Sequence, residues 1–95
     1  MIRSLLFAPG DSEKKMTKAS EGEADVVILD LEDSVSESQK VSARGMVTEF
    51  LKARSKEVKP RLYVRVNPLD TGYCLSDIAD IVTGGPAGIL LPKCN

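Results

Sequence analysis

Asp30, Glu32 and Asp33 crowd three carboxylates into four positions at the end of the branched apolar run Val26 to Leu29. Like charges this close repel, and burying them is costly unless a cation or a metal lies near. Arg65 in "RLYVRVN" and Lys93 in "GILLPK" are the cations that the rest of the chain supplies. The sequence has no histidine, which removes the usual zinc ligand and the commonest general base. Acid–base work therefore falls to carboxylates, lysine or tyrosine. A bland reading competes with this one: Arg65 could pair with Glu32 to neutralise a buried network. The number of charges gathered at one end weighs against it.

A second group stands in the first turn. Lys14 and Lys15 open the helical stretch "DSEKKMTKASEGEA", where the macrodipole favours acids. Lys18 lies one turn below Lys14 on the same side. Cations at a helix N-terminus make sense where an anion docks with help from backbone N–H groups. Solvated surface lysines are the alternative.

The elements that must position these residues alternate between two periods. "RSLLFAPG" reads as a strand ended by Pro9-Gly10, followed by a helix capped by Asp11 or Ser12 and stopped at Gly22. "DVVILDLED" is a second strand. A second helix starts near Ser36, with Val41, Val47, Phe50 and Leu51 on roughly one face, and ends before Pro60. "RLYVRVN" is the third strand, "LSDIADIV" a short amphipathic helix stopped by Gly84-Gly85-Pro86, and "GILLPK" the fourth strand. Strand alternation places Asp30 with Glu32 on one face and Leu31 with Asp33 on the other. It also puts Tyr63, Arg65 and Asn67 on a single face. The charges fall at the C-terminal ends of strands, where parallel α/β sheets bind ligands.

Strand alternating with helix predicts a parallel sheet with crossover helices. Strand starts near residues 3, 26, 61 and 88 are 23, 35 and 27 apart. A (β/α)₈ barrel of about 250 residues spends roughly 31 per unit. The spacing thus fits the first four strands of such a barrel, and an open doubly wound sheet almost as well. The first turn, "APGDSEKK", lacks the G-x-G-x-x-G spacing of a dinucleotide site.

Composition bounds the remaining classes. Ninety-five residues make one small domain or a piece of a larger one. A net charge of −1 gives no broad electrostatic case for nucleic acid or an anionic membrane. No apolar run approaches the roughly 20 residues of a membrane span, and "RSLLFAPG" is too short for a signal-peptide core. Cys74 and Cys94 read as reduced thiols, so a cytoplasmic location is expected.

"RSLLFAPG", "ILDLEDSV", "VRVNPLDTG" and "LLPK" stand in the order and spacing of the citrate lyase β-subunit-like enzymes. The chain resembles, over essentially its whole length, the HpcH/HpaI aldolase superfamily with its malyl-CoA, citramalyl-CoA and citryl-CoA lyases. "LDLEDSV" followed by "VRVN" is the specific pair. The resemblance implies a TIM barrel about three times this length, with residues 1–95 a partial barrel domain at its N-terminus. It further implies a magnesium-dependent lyase that joins or cleaves an acyl-CoA and a 2-oxo acid, assembled as a homo-oligomer, a trimer or hexamer.

By the same resemblance Arg65 matches the arginine that binds the oxo-acid carboxylate. Glu32 and Asp33 match the acidic pair lining the site, as catalytic candidates. Lys14 and Lys18 match positions that reach the CoA phosphates, and Phe7 with Pro9-Gly10 shapes the same turn. The family's metal ligands, a Glu and an Asp, are expected beyond Asn95, so no metal ligand is assigned in this segment. One departure stands out: many members continue Val-Glu-Ser after "LPK", where this chain has Cys94 and Asn95. Two other functions stay open. One is a non-catalytic barrel that binds acyl-CoA or pairs with a partner, and the other is an open-sheet domain of structural or regulatory type.

Overall fold

A computed structural model describes residues 4–54, 60–68 and 72–91. Four strands lie in it: β1 (Leu5–Pro9), β2 (Val26–Asp30), β3 (Arg61–Arg65) and β4 (Gly88–Leu90). Between them run helices α1 (Glu13–Glu21), α2 (Lys40–Ala53) and α3 (Cys74–Val82), with one 3₁₀ turn at Glu37–Gln39 leading into α2. The strands pair in the order β1-β2-β3-β4, all parallel. Sequential parallel pairing, with a helix between each pair of strands, is the arrangement of the first four strands of a (β/α)₈ barrel. It is not the reversing strand order of a doubly wound sheet.

Helix boundaries follow local chemistry. The Ser12 hydroxyl accepts the Lys15 N–H at 3.2 Å and caps α1, while Gly22 ends it. The inward stripe of α2 is Lys40, Ala43, Val47, Phe50 and Leu51, a helical i, i+3/i+4 progression. Val41, expected on that stripe, is 65% exposed. It lies one residue, about 100°, round the helix from Lys40, which takes the inward position instead.

All three helices pack on one face of the sheet. Met16, Ala19, Ala43, Val47, Leu51 and Ile81 meet Ala8, Val27, Leu29, Leu62 and Val64 there. Each large side chain fully buried in this layer contributes about 1.5–3 kcal/mol. The register puts Phe7 beside Ile28 and Ile28 beside Tyr63, with Pro9, Asp30 and Arg65 forming the next row on the opposite face. Gly88 belongs to this face as well. A Cβ there would meet Tyr63 Cδ2 at 2.8 Å, so only glycine leaves room for the ring.

Two strand ends fall earlier than the apolar runs predict. β2 stops at Asp30 and β3 at Arg65, so alternation no longer governs Leu31 to Asp33 or Asn67. Leu31 is buried in the helix-side core. Asp33 comes round to the side of Glu32 and Arg65, whereas Asn67 turns away from Arg65 toward α2 and α3. The expected faces of Asp33 and Asn67 are corrected accordingly.

Candidate functional site

Asp30 and Arg65 are register partners at the C-terminal ends of β2 and β3. Arg65 Nε donates to Asp30 Oδ1 at 2.8 Å and Nη2 to Oδ2 at 2.7 Å, a two-point clamp. Asp30 also accepts the backbone N–H groups of Glu32 at 2.9 Å and Ser34 at 3.1 Å, and the Ser34 hydroxyl at 2.6 Å. An aspartate that takes the N–H two residues on forms a turn of its own. That competition ends β2 here.

Gly10 closes the site from β1. Its N–H donates to the Asp30 carbonyl at 2.8 Å, and a Cβ at Gly10 would sit 2.7 Å from that same oxygen. Any side chain would push the β1 turn off Asp30. Phe7, two positions before Pro9, lies under the Arg65 guanidinium with its ring centroid 5.0 Å away, within range of a cation–π contact.

Burial pushes the Asp30 carboxyl up, but the Arg65 and Ser34 hydrogen bonds and the two backbone N–H groups outweigh it and hold it at about 2. Glu32 moves the other way: burial and the neighbouring Asp33 charge push its carboxyl up, against the pull of Arg65. Arg65 is pushed further up by its hydrogen bonds to Asp30. Glu32 Oε1 lies 3.5 Å and Asp33 Oδ2 3.7 Å from the guanidinium. The structure therefore brings Glu32, Asp33 and Arg65 together, with Asp33 there against the face that strand alternation predicts. It adds Asp30 as the principal partner of Arg65, in place of Glu32.

Phe7, Ala8, Pro9, Asp30, Asp33, Ser34 and Arg65 line an open cleft of about 460 Å³. With Nε and one N–H of Nη2 spent on Asp30, the guanidinium keeps its Nη1 edge without a hydrogen-bond partner among the described residues. A carboxylate is the natural ligand for such an edge. Lys93, the other expected cation, and Cys94 lie outside the described residues. Cys74 is buried at the start of α3.

The lysines of α1 are exposed. Lys15 and Lys18 line a groove of about 360 Å³ with Leu6, Phe7, Ala8 and Pro9, next to the cleft along β1. Lys14 does not line it.

Lys40 was not anticipated. Its ammonium is buried and donates to the Leu31 carbonyl at 3.1 Å, the Glu32 carbonyl at 3.0 Å and Asn67 Oδ1 at 2.7 Å. The available signal was a lysine on the inward stripe of an amphipathic helix, just after an acidic turn.

A magnesium ion takes oxygen ligands in near-octahedral geometry. Asp30 is committed to Arg65 and Ser34, and no group of three or more acidic or cysteine side chains positioned to hold a metal occurs among the described residues.

A sequence model of the HpcH/HpaI aldolase/citrate lyase family matches residues 3–95. The chain belongs to the HpcH/HpaI aldolase/citrate lyase family. Among curated relatives it is 36% identical over 94 residues to a (3S)-malyl-CoA thioesterase of Cereibacter sphaeroides, covering 99% of this chain and 33% of that one. It is 38% identical over 91 residues to the citrate lyase subunit beta of Leuconostoc mesenteroides subsp. cremoris, covering 96% and 30%. The chain thus spans about a third of the length of these relatives. A solved HpcH/HpaI relative, protein CitE from Mycobacterium tuberculosis in complex with magnesium, acetoacetate and coenzyme A, superposes with a TM-score of 0.79 at 33% identity. That match covers 98% of this chain and 33% of the other. No helix among the described residues is long and apolar enough to cross a membrane.

Proposed function

We propose that these residues open a longer (β/α)₈ enzyme, a magnesium-dependent lyase that cleaves a 3-hydroxy-dicarboxylyl-CoA, or a close analogue, into an acyl-CoA and a 2-oxo acid. The Arg65 guanidinium carries the reading: a buried aspartate clamps one of its edges, and the residue lines a cleft at the C-terminal ends of the strands. A guanidinium fixed in this way recognises a carboxylate by shape as well as charge. The names of the relatives, which include citrate lyase β and malyl-CoA thioesterase, support a CoA thioester of a short acid as the substrate class.

In such a cleavage the 3-hydroxyl loses its proton, the C2–C3 bond breaks, and C3 becomes the carbonyl carbon of the oxo acid. The bonding pair passes to C2 as the thioester enolate, which then takes up a proton. Arg65 holds the carboxylate next to C3 through its uncommitted edge. Glu32, whose carboxyl is pushed up by burial and by Asp33, has the proton affinity to take the hydroxyl proton. Asp33, exposed beside it, orients the hydroxyl or a water. Lys14 and Lys18 reach for the CoA phosphates. Magnesium would be held by a glutamate and an aspartate past Asn95.

The test is direct. The coding sequence is read past Asn95, and the full-length protein is incubated with malyl-CoA or citramalyl-CoA and Mg²⁺. Released oxo acid is trapped as its hydrazone. Oxo acid and acyl-CoA in equal amounts are expected. A reading frame without the acidic strand ends would overturn the proposal, and so would a full-length protein that binds the thioesters without cleaving them.

A further inference from the structure

We propose that Lys40 is a positioning residue that locks the acidic turn carrying Glu32 and Asp33 against the end of β3. Three acceptors surround its ammonium, and they come from different parts of the fold. The Leu31 and Glu32 carbonyls belong to the turn, at 3.1 and 3.0 Å, and Asn67 Oδ1 follows β3, at 2.7 Å. An ammonium has three donors, so each meets an acceptor and no carboxylate is needed to hold it. Asn67 is in turn fixed from behind. Its backbone N–H and its side-chain amide both donate to Asp77 Oδ2, at 3.0 and 2.7 Å. Asp77 is fully buried in α3, and its other oxygen accepts from Arg44 Nε of α2 at 2.9 Å.

The network therefore ties the β2 turn, the end of β3, α2 and α3 through one buried cation. These hydrogen bonds run to none of the residues that line the cleft. Those of Lys40 act on chemistry through the backbone of Leu31 and Glu32, which directs where the two carboxylates point relative to Arg65; its charge also pulls the Glu32 carboxyl down against burial and Asp33. Buried polar groups that are fully paired specify a single local geometry. Arginine is a poor substitute here, because a planar fork cannot meet three acceptors arranged around a tetrahedral ammonium.

The kinetic half of the test rests on the lyase reading above; the exchange half does not. Lys40→Met and Lys40→Arg are made in the full-length protein. Both should lower kcat at least 10-fold and leave KM for the thioester within about 2-fold, since the CoA end is held elsewhere. Amide hydrogen exchange without ligand should quicken at Glu32 and Ser34, whose N–H groups bond Asp30, and stay slow in the amides of β3. If Lys40→Met does not fold, Lys40→Arg decides. Wild-type kcat in Lys40→Arg overturns the proposal. So does exchange that quickens equally in the turn and in β3, because that pattern is general loss of stability. A wild-type protein without lyase activity defeats the lyase reading alone, and the exchange pattern still tests Lys40.

Discussion

The Asp30–Arg65 clamp separates two roles that a single arginine would otherwise confuse. Lysine at position 65 could still neutralise Asp30, but it would offer no second edge to a substrate carboxylate. In the full-length enzyme Arg65→Lys should therefore keep most of the melting temperature and lose about 30- to 1,000-fold in kcat/KM, roughly 2–4 kcal/mol of transition-state stabilisation. Unchanged kcat/KM would make Arg65 structural. Asp30 has its own signature in pH. Its carboxyl is held at about 2 in the fold against its ordinary 3.8. Ionised Asp30 thus stabilises the protein fully above about pH 4, and that contribution, about 2 kcal/mol, fades as pH falls toward 2. Glu32 has the opposite sign, because its raised carboxyl favours the protonated form in the fold. Asp30→Asn should flatten the acid limb of the stability profile between pH 4 and 2, measured by denaturant midpoints. An acid limb as steep as wild type would show that other carboxylates dominate it. The gathering of carboxylates with Arg65 was legible in the sequence because charge at the end of an apolar strand is anomalous, while the roles of Glu32, Asp33 and Arg65 rest on the family resemblance and stand as proposals. Asp30 stood in the same run but reads as one more member of it, since nothing in the sequence says which carboxylate will face the arginine.

At the scale of the elements, the alternation of strand and helix was legible because periods of 2 and 3.6 differ plainly in these runs. The strand ends were not. Apolar residues continue through Leu31 and Val66, whereas β2 and β3 stop at Asp30 and Arg65, because Asp30 takes the backbone N–H groups of Glu32 and Ser34 after β2 and Asp77 of α3 takes that of Asn67 after β3. The same limit applies to α2, where Lys40 displaces Val41 from the inward stripe; its partners lie in other elements and leave no periodic trace. Helix α1 carries the remaining proposal. Its exposed lysines flank the β1 turn, with Lys18 on the groove and Lys14 off it. If they grip CoA phosphates, Lys14→Ala/Lys18→Ala should raise KM for the thioester several-fold and leave kcat nearly alone, since phosphate contacts bind substrate and transition state alike. Most of the loss should come from Lys18. The wild-type KM should climb with ionic strength, and the double variant should lose most of that dependence. Alanine favours helix, so circular dichroism of α1 should be unchanged. Thioester binding as tight as wild type at low salt would leave these lysines as solvated surface.

The whole molecule is a sheet with helices on one face and two unpaired edges among the described strands, β1 and β4. At the β1 edge Leu5, Leu6 and Phe7 are 53%, 44% and 48% exposed, and at the β4 edge Leu90 and Leu91 are exposed as well. In a closed barrel both edges would be paired and the face bearing Phe7, Ile28 and Tyr63 would turn inward. Left open, such edges are templates for pairing with another chain, and apolar edge residues make that pairing favourable. The helix-side core is well formed, yet it covers only half of the sheet's surface. Residues 1–95 expressed alone should therefore aggregate, or unfold without a sharp transition, despite near-native helix content. A sedimentation run paired with a thermal melt decides this: a monomer with a cooperative two-state transition would sink the expectation. Coexpression with the remaining strands of the full-length protein should restore a soluble species and a cooperative melt, because the missing partners of β1 and β4 would then be supplied in trans. Failure of that rescue, with both pieces present and soluble, would mean that the exposed edges are not what prevents the shorter chain from folding.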